Sequence, residues 1–342
     1  MPTAPTVETV RGPVGTSDLG RTFMHEHVFV LSTEHVQNYG VGRWWNEEER
    51  VADAVVRLRR LRDRGITTVV DPTVWGLGRY IPRIQRVAEQ VEGLNIIVAT
   101  GLYTYHDLPH QYVNRGPGLL IDLPVDPMVT DFVRDLTEGI ADTGVRAGFL
   151  KCCVEAEGLV PGVERVARAV ARAHRETGAP ITVHTNARAR TGLLAVELFA
   201  EEGVDLTKVV IGHAGDSNDL DYLTELADHG VLLGMDRFGL DGFNPTPDRV
   251  RTIAAMCERG YADRMVLSHD ASCYIDWFVE QHEEFMARLA PNWHYEHILD
   301  DVLPALRMAG VGERELTRML VDNPRAYFGG GAEDTDGEGA AA

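Results

Sequence analysis

A pair of histidines spaced i, i+2 stands in the apolar stretch Thr22-Phe23-Met24-His25-Glu26-His27-Val28-Phe29-Val30. If the stretch is a strand, His25 and His27 leave the same face and converge on one cavity. Imidazole is the commonest metal ligand, and two on one rigid element make half of a preorganised chelate. Alone, a His-x-His pair is more often two hydrogen-bonded histidines than a ligand pair. Four later residues change that weighing: Lys151, His184, His213 and Asp270. They lie in or just after the runs Phe149-Leu150-Lys151-Cys152-Cys153-Val154, Ile181-Thr182-Val183-His184, Val209-Val210-Ile211-Gly212-His213 and Met265-Val266-Leu267-Ser268-His269-Asp270. Taken singly, each has an ordinary reading as a core histidine, a lysine paired with an acid, or a helix-capping aspartate. Six of them at strand ends of one fold are better explained by one shared site. They exceed the four ligands of a single zinc, and they are neither all thiolate nor all oxygen. A centre of two metals uses them all.

Lys151 needs its own chemistry, because an ammonium cannot ligate a metal. Only two of the 33 basic residues are lysines, Lys151 and Lys208; the rest are arginines. A lysine inside an apolar run is therefore informative. Burial disfavours the charged amine and lowers its pKa. The neutral amine can add carbon dioxide to become a carbamate, whose two oxygens can bridge two cations. Arginine stays protonated and cannot do this.

These residues must be positioned by the elements around them. Residues 7–20 read as a hairpin-like lead-in. Asn46 followed by three glutamates predicts a capped helix start, with Val51, Ala54, Val55, Leu58 and Leu61 at helical spacing and a stop at Gly65. Further strands are expected at 66–71, 96–100, around Lys151, at 181–184, 209–213, 231–236 and 265–270. Helices are expected near 81–92, 128–143, 162–177, 191–202, 219–228 and 247–259. Residues 106–127, rich in Pro and Gly, form a longer loop suited to a lid or interface element. Beyond Asp270, loop and helix are expected to about 328. Short apolar strands alternating with helices imply a parallel sheet covered on both faces. Eight such units favour a (β/α)₈ barrel in a single domain over residues 1–328, and no Gly-x-Gly-x-x-Gly turn argues for a dinucleotide fold. In such a barrel the C-terminal strand ends converge on the catalytic mouth. Residues 329–342 read as a disordered acidic tail.

Composition sets outer bounds. The chain has 342 residues, 44% hydrophobic and 25% charged, with a formal net charge of −19. That balance argues against nucleic acid and anionic membrane as partners. No apolar run reaches the roughly 18 residues of a membrane span. The four cysteines show no zinc-finger or disulfide-scaffold spacing, and Met1–Glu8 has neither a basic nor an apolar segment of a secretory signal. A cytoplasmic protein with reduced thiols is expected.

The set Thr22-Phe23-Met24-His25-Glu26-His27, Asp71-Pro72-Thr73-Val74-Trp75-Gly76-Leu77-Gly78-Arg79, Lys151, His184, His213 and Asp270 resembles the phosphotriesterase family of the amidohydrolase superfamily. The resemblance runs over essentially residues 7–328. It implies that His25, His27 and Asp270 hold the more buried of two divalent ions and that His184 and His213 hold the more exposed one. Carboxylated Lys151 and a hydroxide then bridge them. Zinc is the first expectation for the ions, with cobalt, iron or manganese as alternatives. Gly101-Leu102-Tyr103-Thr104-Tyr105 and Asp236-Arg237-Phe238-Gly239 resemble the phosphotriesterase-like lactonases, since organophosphate hydrolases usually lack that tyrosine and that arginine. Trp277 also resembles the lactonase pattern, whereas Ser272 departs from it, with Cys273 following.

The expected reaction is lactone hydrolysis, N-acyl-homoserine lactones foremost, as in quorum quenching, with a weak phosphotriesterase side activity. The bridging hydroxide attacks, Tyr103 and the exposed metal stabilise the oxyanion, and Asp270 carries the proton to the ring alkoxide. Arg237 positions groups over the site. Tyr105, Phe238, Ser272 and Trp277 are expected to contact substrate. A homodimer is implied by the resemblance alone. Two alternatives stay open: a phosphotriester hydrolase, and a barrel that binds a small ligand without turnover, which loss of a ligand would favour; none is missing.

Overall fold

The computed structural model describes residues 4–278 and 282–329. Within them the short apolar runs become strands that are almost wholly buried, because neighbouring strands and the helices outside cover them. In chain order these are β1 (Thr22–Phe23), β2 (Thr68–Asp71), β3 (Asn95–Gly101), β4 (Phe149–Val154), β5 (Ile181–Thr185), β6 (Val209–Gly212), β7 (Leu232–Met235) and β8 (Met265–Leu267). Each is parallel to its neighbours, in sequence order from β1 to β8. The intervening helices are α1 (Glu47–Asp63), α2 (Ile81–Ala88), α3 (Pro127–Thr137), α4 (Pro161–Thr177), α5 (Thr191–Glu201), α6 (Leu220–Asp228) and α7 (Thr246–Glu258). This is the expected (β/α)₈ barrel. The lead-in is an antiparallel pair, Thr6–Thr9 with Gly12–Gly15.

Local chemistry explains the element ends. Asn46 caps α1 by accepting from Glu48 N and Glu49 N at 3.2 and 3.4 Å, and the stripe from Val51 to Leu61 is buried. Each large apolar side chain in that stripe contributes about 1.5–3 kcal/mol. The barrel interior is filled, not open. Val70, Ile97, Phe149, Val210, Leu232 and Val266 from six strands pack together. Tyr327 and Phe328 of the helix Asn323–Gly329 close the end away from the site. Lys208 holds that helix by donating to the carbonyls of Ala326 and Tyr327 at 3.1 and 2.8 Å.

Closure departs from the expected pattern in two places. The histidine stretch is not one strand: β1 ends at Phe23, and a second segment, His27–Val30, pairs in parallel with Ser272–Ile275. Between them the backbone spans both neighbours. Glu26 N bonds Val70 O at 2.9 Å, while Asp270 N bonds His25 O at 3.0 Å and His27 N bonds Ala271 O at 2.8 Å. The strand Ser272–Ile275 lies where loop was expected, because its four residues follow Asp270 with no turn residue to mark a new element. The loop 106–127 carries a short helix, His110–Val113, and is tied to α4 through Arg165, which reaches Asp126, Tyr112 O and Arg115 O. Of the tail expected at 329–342, Gly329 instead ends the helix Asn323–Gly329, and residues 330–342 lie outside the described residues.

Candidate metal centre and active site

All six expected ligands meet at the mouth. His25, His27, Lys151, His184 and Asp270 line a cavity of about 500 Å³ above the strand ends, with Tyr103, Glu155, Arg237, Trp277 and Trp293 among the other lining residues. His213 is buried beside it, its Nε2 2.8 Å from His184 Nδ1. Asp270 Oδ1 lies 3.3 Å from His25 Nε2 and 3.2 Å from His27 Nε2, so these three donors converge on one point.

The outer nitrogen of each imidazole faces an oxygen acceptor, and this decides what faces inward. His27 Nδ1–H donates to Thr73 Oγ1 at 2.7 Å, and that hydroxyl donates to Asp71 Oδ1 at 2.5 Å. His213 Nδ1–H donates to Asp236 Oδ1 at 2.8 Å, and His25 Nδ1 faces Asp236 Oδ2 at 3.4 Å. His184 Nε2–H donates to Glu155 Oε2 at 2.6 Å. Ionised carboxylates only accept, so the inner nitrogens are left as lone pairs. Two such pairs, on His184 Nδ1 and His213 Nε2, then confront each other at 2.8 Å. They repel unless a cation is shared between them. Burial lowers the pKa of His25, His213 and His184, the last to about 4, which keeps the imidazoles neutral as metal ligation requires.

Lys151 supplies the second test of fit. Its Nζ is buried and has no hydrogen-bond partner among the described residues. Burial lowers its pKa. A buried amine without a partner costs stability, whereas a carbamate at that position would be anionic and turned toward converging ligands. Lys151 is fixed in the sheet by pairing with Gly101 on one side, where any Cβ would lie 1.8 Å from the Lys151 backbone carbonyl, and with Thr182 on the other. The donor set thus fits two cations. Asp236, although it sits with His25 and His213 in a cluster of metal-ligand type, touches their outer nitrogens and is an anchor rather than a ligand.

Strain concentrates here. His213, Arg237 and Asp270 are non-glycine residues in the left-handed region, at φ 65, 60 and 54°, which costs about 1 kcal/mol or more each. Arg237 is held by Asp270 Oδ2 at 3.1 Å and Asp216 Oδ2 at 2.9 Å. Burial opposes its charge, but Asp270, Asp216 and Asp236 outweigh burial and raise its pKa. Asp216 is fixed in turn by buried Arg249 at 2.6 Å. Burial likewise opposes ionisation of Asp270, yet the neighbouring imidazoles and Arg237 hold its carboxyl well below the usual range. The Tyr103 hydroxyl lies 3.4 Å from His184 Nδ1 and 2.7 Å from Tyr105 OH, and burial raises its pKa so that it stays protonated.

Tyr105, Ser272 and Trp277 line the cavity, Trp277 at its exposed rim. Phe238 does not. It is fully buried with Arg249 over its ring, because the turn after β7 points Arg237 to the site and the next side chain into the core. Reading the sequence did not single out Glu155, Asp216, Arg249 or Trp293. It also missed the pair Glu26–His269, in which His269 Nδ1–H donates to Glu26 Oε1 at 2.6 Å. Glu26 Oε1 also accepts from His269 N and Oε2 from Ala271 N, which ties the Asp270 turn to the histidine stretch. Trp293 donates its indole N–H to His269 O at 2.8 Å, one residue from Asp270.

The family model for the phosphotriesterase family matches residues 5–328. The chain belongs to that family. The phosphotriesterase homology protein of Mycobacterium tuberculosis is 57% identical over 324 residues, covering 95% of this chain and 98% of that protein. An aryldialkylphosphatase of Saccharolobus solfataricus is 38% identical over 315 residues, covering 92% and 96%. The solved phosphotriesterase of M. tuberculosis superimposes with a TM-score of 0.91 at 57% identity, over 95% of this chain and 98% of that one. A structure of organophosphate hydrolysis activity engineered from a weak promiscuous lactonase template gives 0.82 at 31% identity, over 95% and 100%. Enzymes of the family use a binuclear metal centre, and this member of the phosphotriesterase family is a metal-dependent hydrolase. No helix among the described residues is long and apolar enough to cross a membrane.

Proposed function

We propose that the chain hydrolyses lactones, N-acyl-homoserine lactones foremost, and turns over phosphotriesters only weakly. The observation that carries this reading is the Tyr103 hydroxyl, protonated and 3.4 Å from the inward nitrogen of His184. Two divalent cations held by His25, His27, His184, His213, Asp270 and carboxylated Lys151 would lower the pKa of a shared water and polarise the substrate carbonyl. Zinc suits the mixed imidazole and carboxylate donors, and cobalt, iron or manganese would also bind them.

The residues of this chain then act as follows. The Lys151 amine, whose uncharged form burial favours, forms an N–C bond to carbon dioxide and releases one proton, giving the carbamate. Tyr103 O–H donates to the oxygen that becomes anionic as water adds to the carbonyl carbon. Asp270 takes the proton of the attacking water and returns one to the ring oxygen as the ring C–O bond breaks, so the product is a hydroxy acid. Arg237, held by Asp216, keeps the Asp270 carboxylate turned inward. Tyr105, Ser272 and the rim residue Trp277 contact the substrate, and its apolar tail lies along Val30, Leu77 and Ile275, which pack as one small cluster beside Tyr103. The enzyme works as a homodimer of single-domain chains in the cytoplasm, without nucleic-acid or membrane partners.

A second reading, phosphotriester hydrolysis as the main activity, draws on the aryldialkylphosphatase relative. One metal-replete preparation assayed on a homoserine-lactone panel and a phosphotriester separates them, since specificity is a ratio of kcat/KM values. A lactone should be preferred. Clear preference for the phosphotriester over every lactone would overturn the proposal.

A further inference from the structure

Glu155 follows β4 by one residue and leans over the end of β5. Its Oε2 accepts from His184 Nε2–H at 2.6 Å, and its Oε1 accepts from the side-chain amide of Asn186. That amide cannot turn over freely, because Asn186 Oδ1 accepts from Ala189 N at 3.0 Å. The Asn186 backbone is pinned as well: its N–H donates to Thr191 Oγ1 at 2.8 Å, and the Thr191 hydroxyl donates to Val154 O at 2.6 Å. Both carboxylate oxygens are therefore engaged by groups that are themselves fixed.

The other histidines are held differently. His27 leans on Thr73 and Asp71, and His25 and His213 share Asp236, all of them buried behind the ligands. Among the described residues that accept from the outer nitrogens of these histidines, Glu155 alone lines the cavity. We propose that Glu155 is the positioning residue for His184: it fixes the proton on Nε2, turns the Nδ1 lone pair to the cavity, and so sets occupancy of the metal position that His184 shares with His213. The inference rests on the two-metal reading of the site.

At the position of His184 and His213 the histidine anchor thus faces the cavity, whereas the anchors of His25 and His27 at the other position are buried behind them and its Asp270 is held by Arg237. Loss of Glu155 should loosen one metal and leave the other. Outer partners of metal-bound histidines are worth about 10–100-fold in affinity.

The test is titration of metal-stripped full-length protein with zinc chloride, followed by calorimetry, with cobalt(II) absorption as a second signal. Wild type should take up two equivalents. Glu155→Ala should bind the first with affinity within about twofold of wild type and the second about 10–100-fold more weakly, while the melting temperature of the stripped variant stays close to wild type. Glu155→Gln alone sets two amide NH₂ groups against each other. Combining it with Asn186→Asp restores a donor facing an acceptor and should recover the second site. Uptake of fewer than two equivalents by wild type would remove the two-metal reading and this proposal with it. Wild-type affinity for both metals in Glu155→Ala, equal weakening of both, or a large fall in stripped-protein stability would each overturn the positioning role alone.

Discussion

Replacing Lys151 with methionine should make the metal-stripped protein more stable and the enzyme inactive. The Nζ is buried without a partner and faces the cavity, so removing it takes away an unsatisfied polar group without enclosing a void. Such a group costs about 1–3 kcal/mol. Scaled by the unfolding entropy of a chain of 342 residues, that gain corresponds to a rise in melting temperature of about 1–4 °C. The same substitution removes the amine proposed to become the bridging ligand, so both bound metal and turnover should fall steeply. The assay is a melting curve of wild type and Lys151→Met after chelation, repeated after reloading with zinc, with metal content and lactone turnover measured on the reloaded samples. Stabilisation in the stripped state with loss in the reloaded state is expected. A stripped variant less stable than wild type, or one that reloads two metals, would refute the argument that this lysine is an unsatisfied amine kept for a carbamate.

Three further outcomes are expected. Lys151→Ala assayed with added metal and formate or acetate should recover part of the activity, and Lys151→Arg should not, because its fixed charge would sit beside two cations; near-normal turnover by Lys151→Arg would contradict the bridge. Glu26→Ala leaves the donors of His269 and Ala271 without their buried acceptor and should cost about 3–5 kcal/mol, a drop of about 4–7 °C by thermal melting; an unchanged curve would show the pair is not structural. Stripped protein should lose stability as pH falls from about 6.5 toward 4. Burial depresses His25, His184, His213 and His269 in the folded state, His184 to about 4, so the unfolded chain binds more protons over that window. Glu26 and Asp71, raised by burial, act in the opposite sense but are fewer. A melting temperature flat from pH 7 to 5 would contradict this.

The barrel was legible because its strands are apolar runs flanked by turn residues, and the convergence of six ligand-type residues because imidazole, carboxylate and a rare lysine recur at run ends. What escaped was set by geometry across the mouth. Asp236 ends β7 as visibly as His213 follows β6, yet nothing in the sequence says that it faces outer nitrogens of His25 and His213. Phe238 was expected to contact substrate because it stands in the lactonase-like stretch Asp236-Arg237-Phe238-Gly239, but the left-handed turn at Arg237 sends the next side chain inward. Glu155 and Trp293 act through partners 29 and 24 residues away in the chain, distances at which spacing carries no signal. The strand Ser272–Ile275 exists because His27–Val30 offers it a parallel edge, and that pairing is tertiary.

The central claim is that one site with two metals performs the hydrolysis, and activity against metal content tests it most directly. Protein stripped by chelation is reloaded stepwise with zinc, and lactone turnover is measured at each elemental ratio. Activity should be absent without metal, rise most steeply between the first and second equivalents, and level off near two per chain. Full activity with one metal or none would contradict the account.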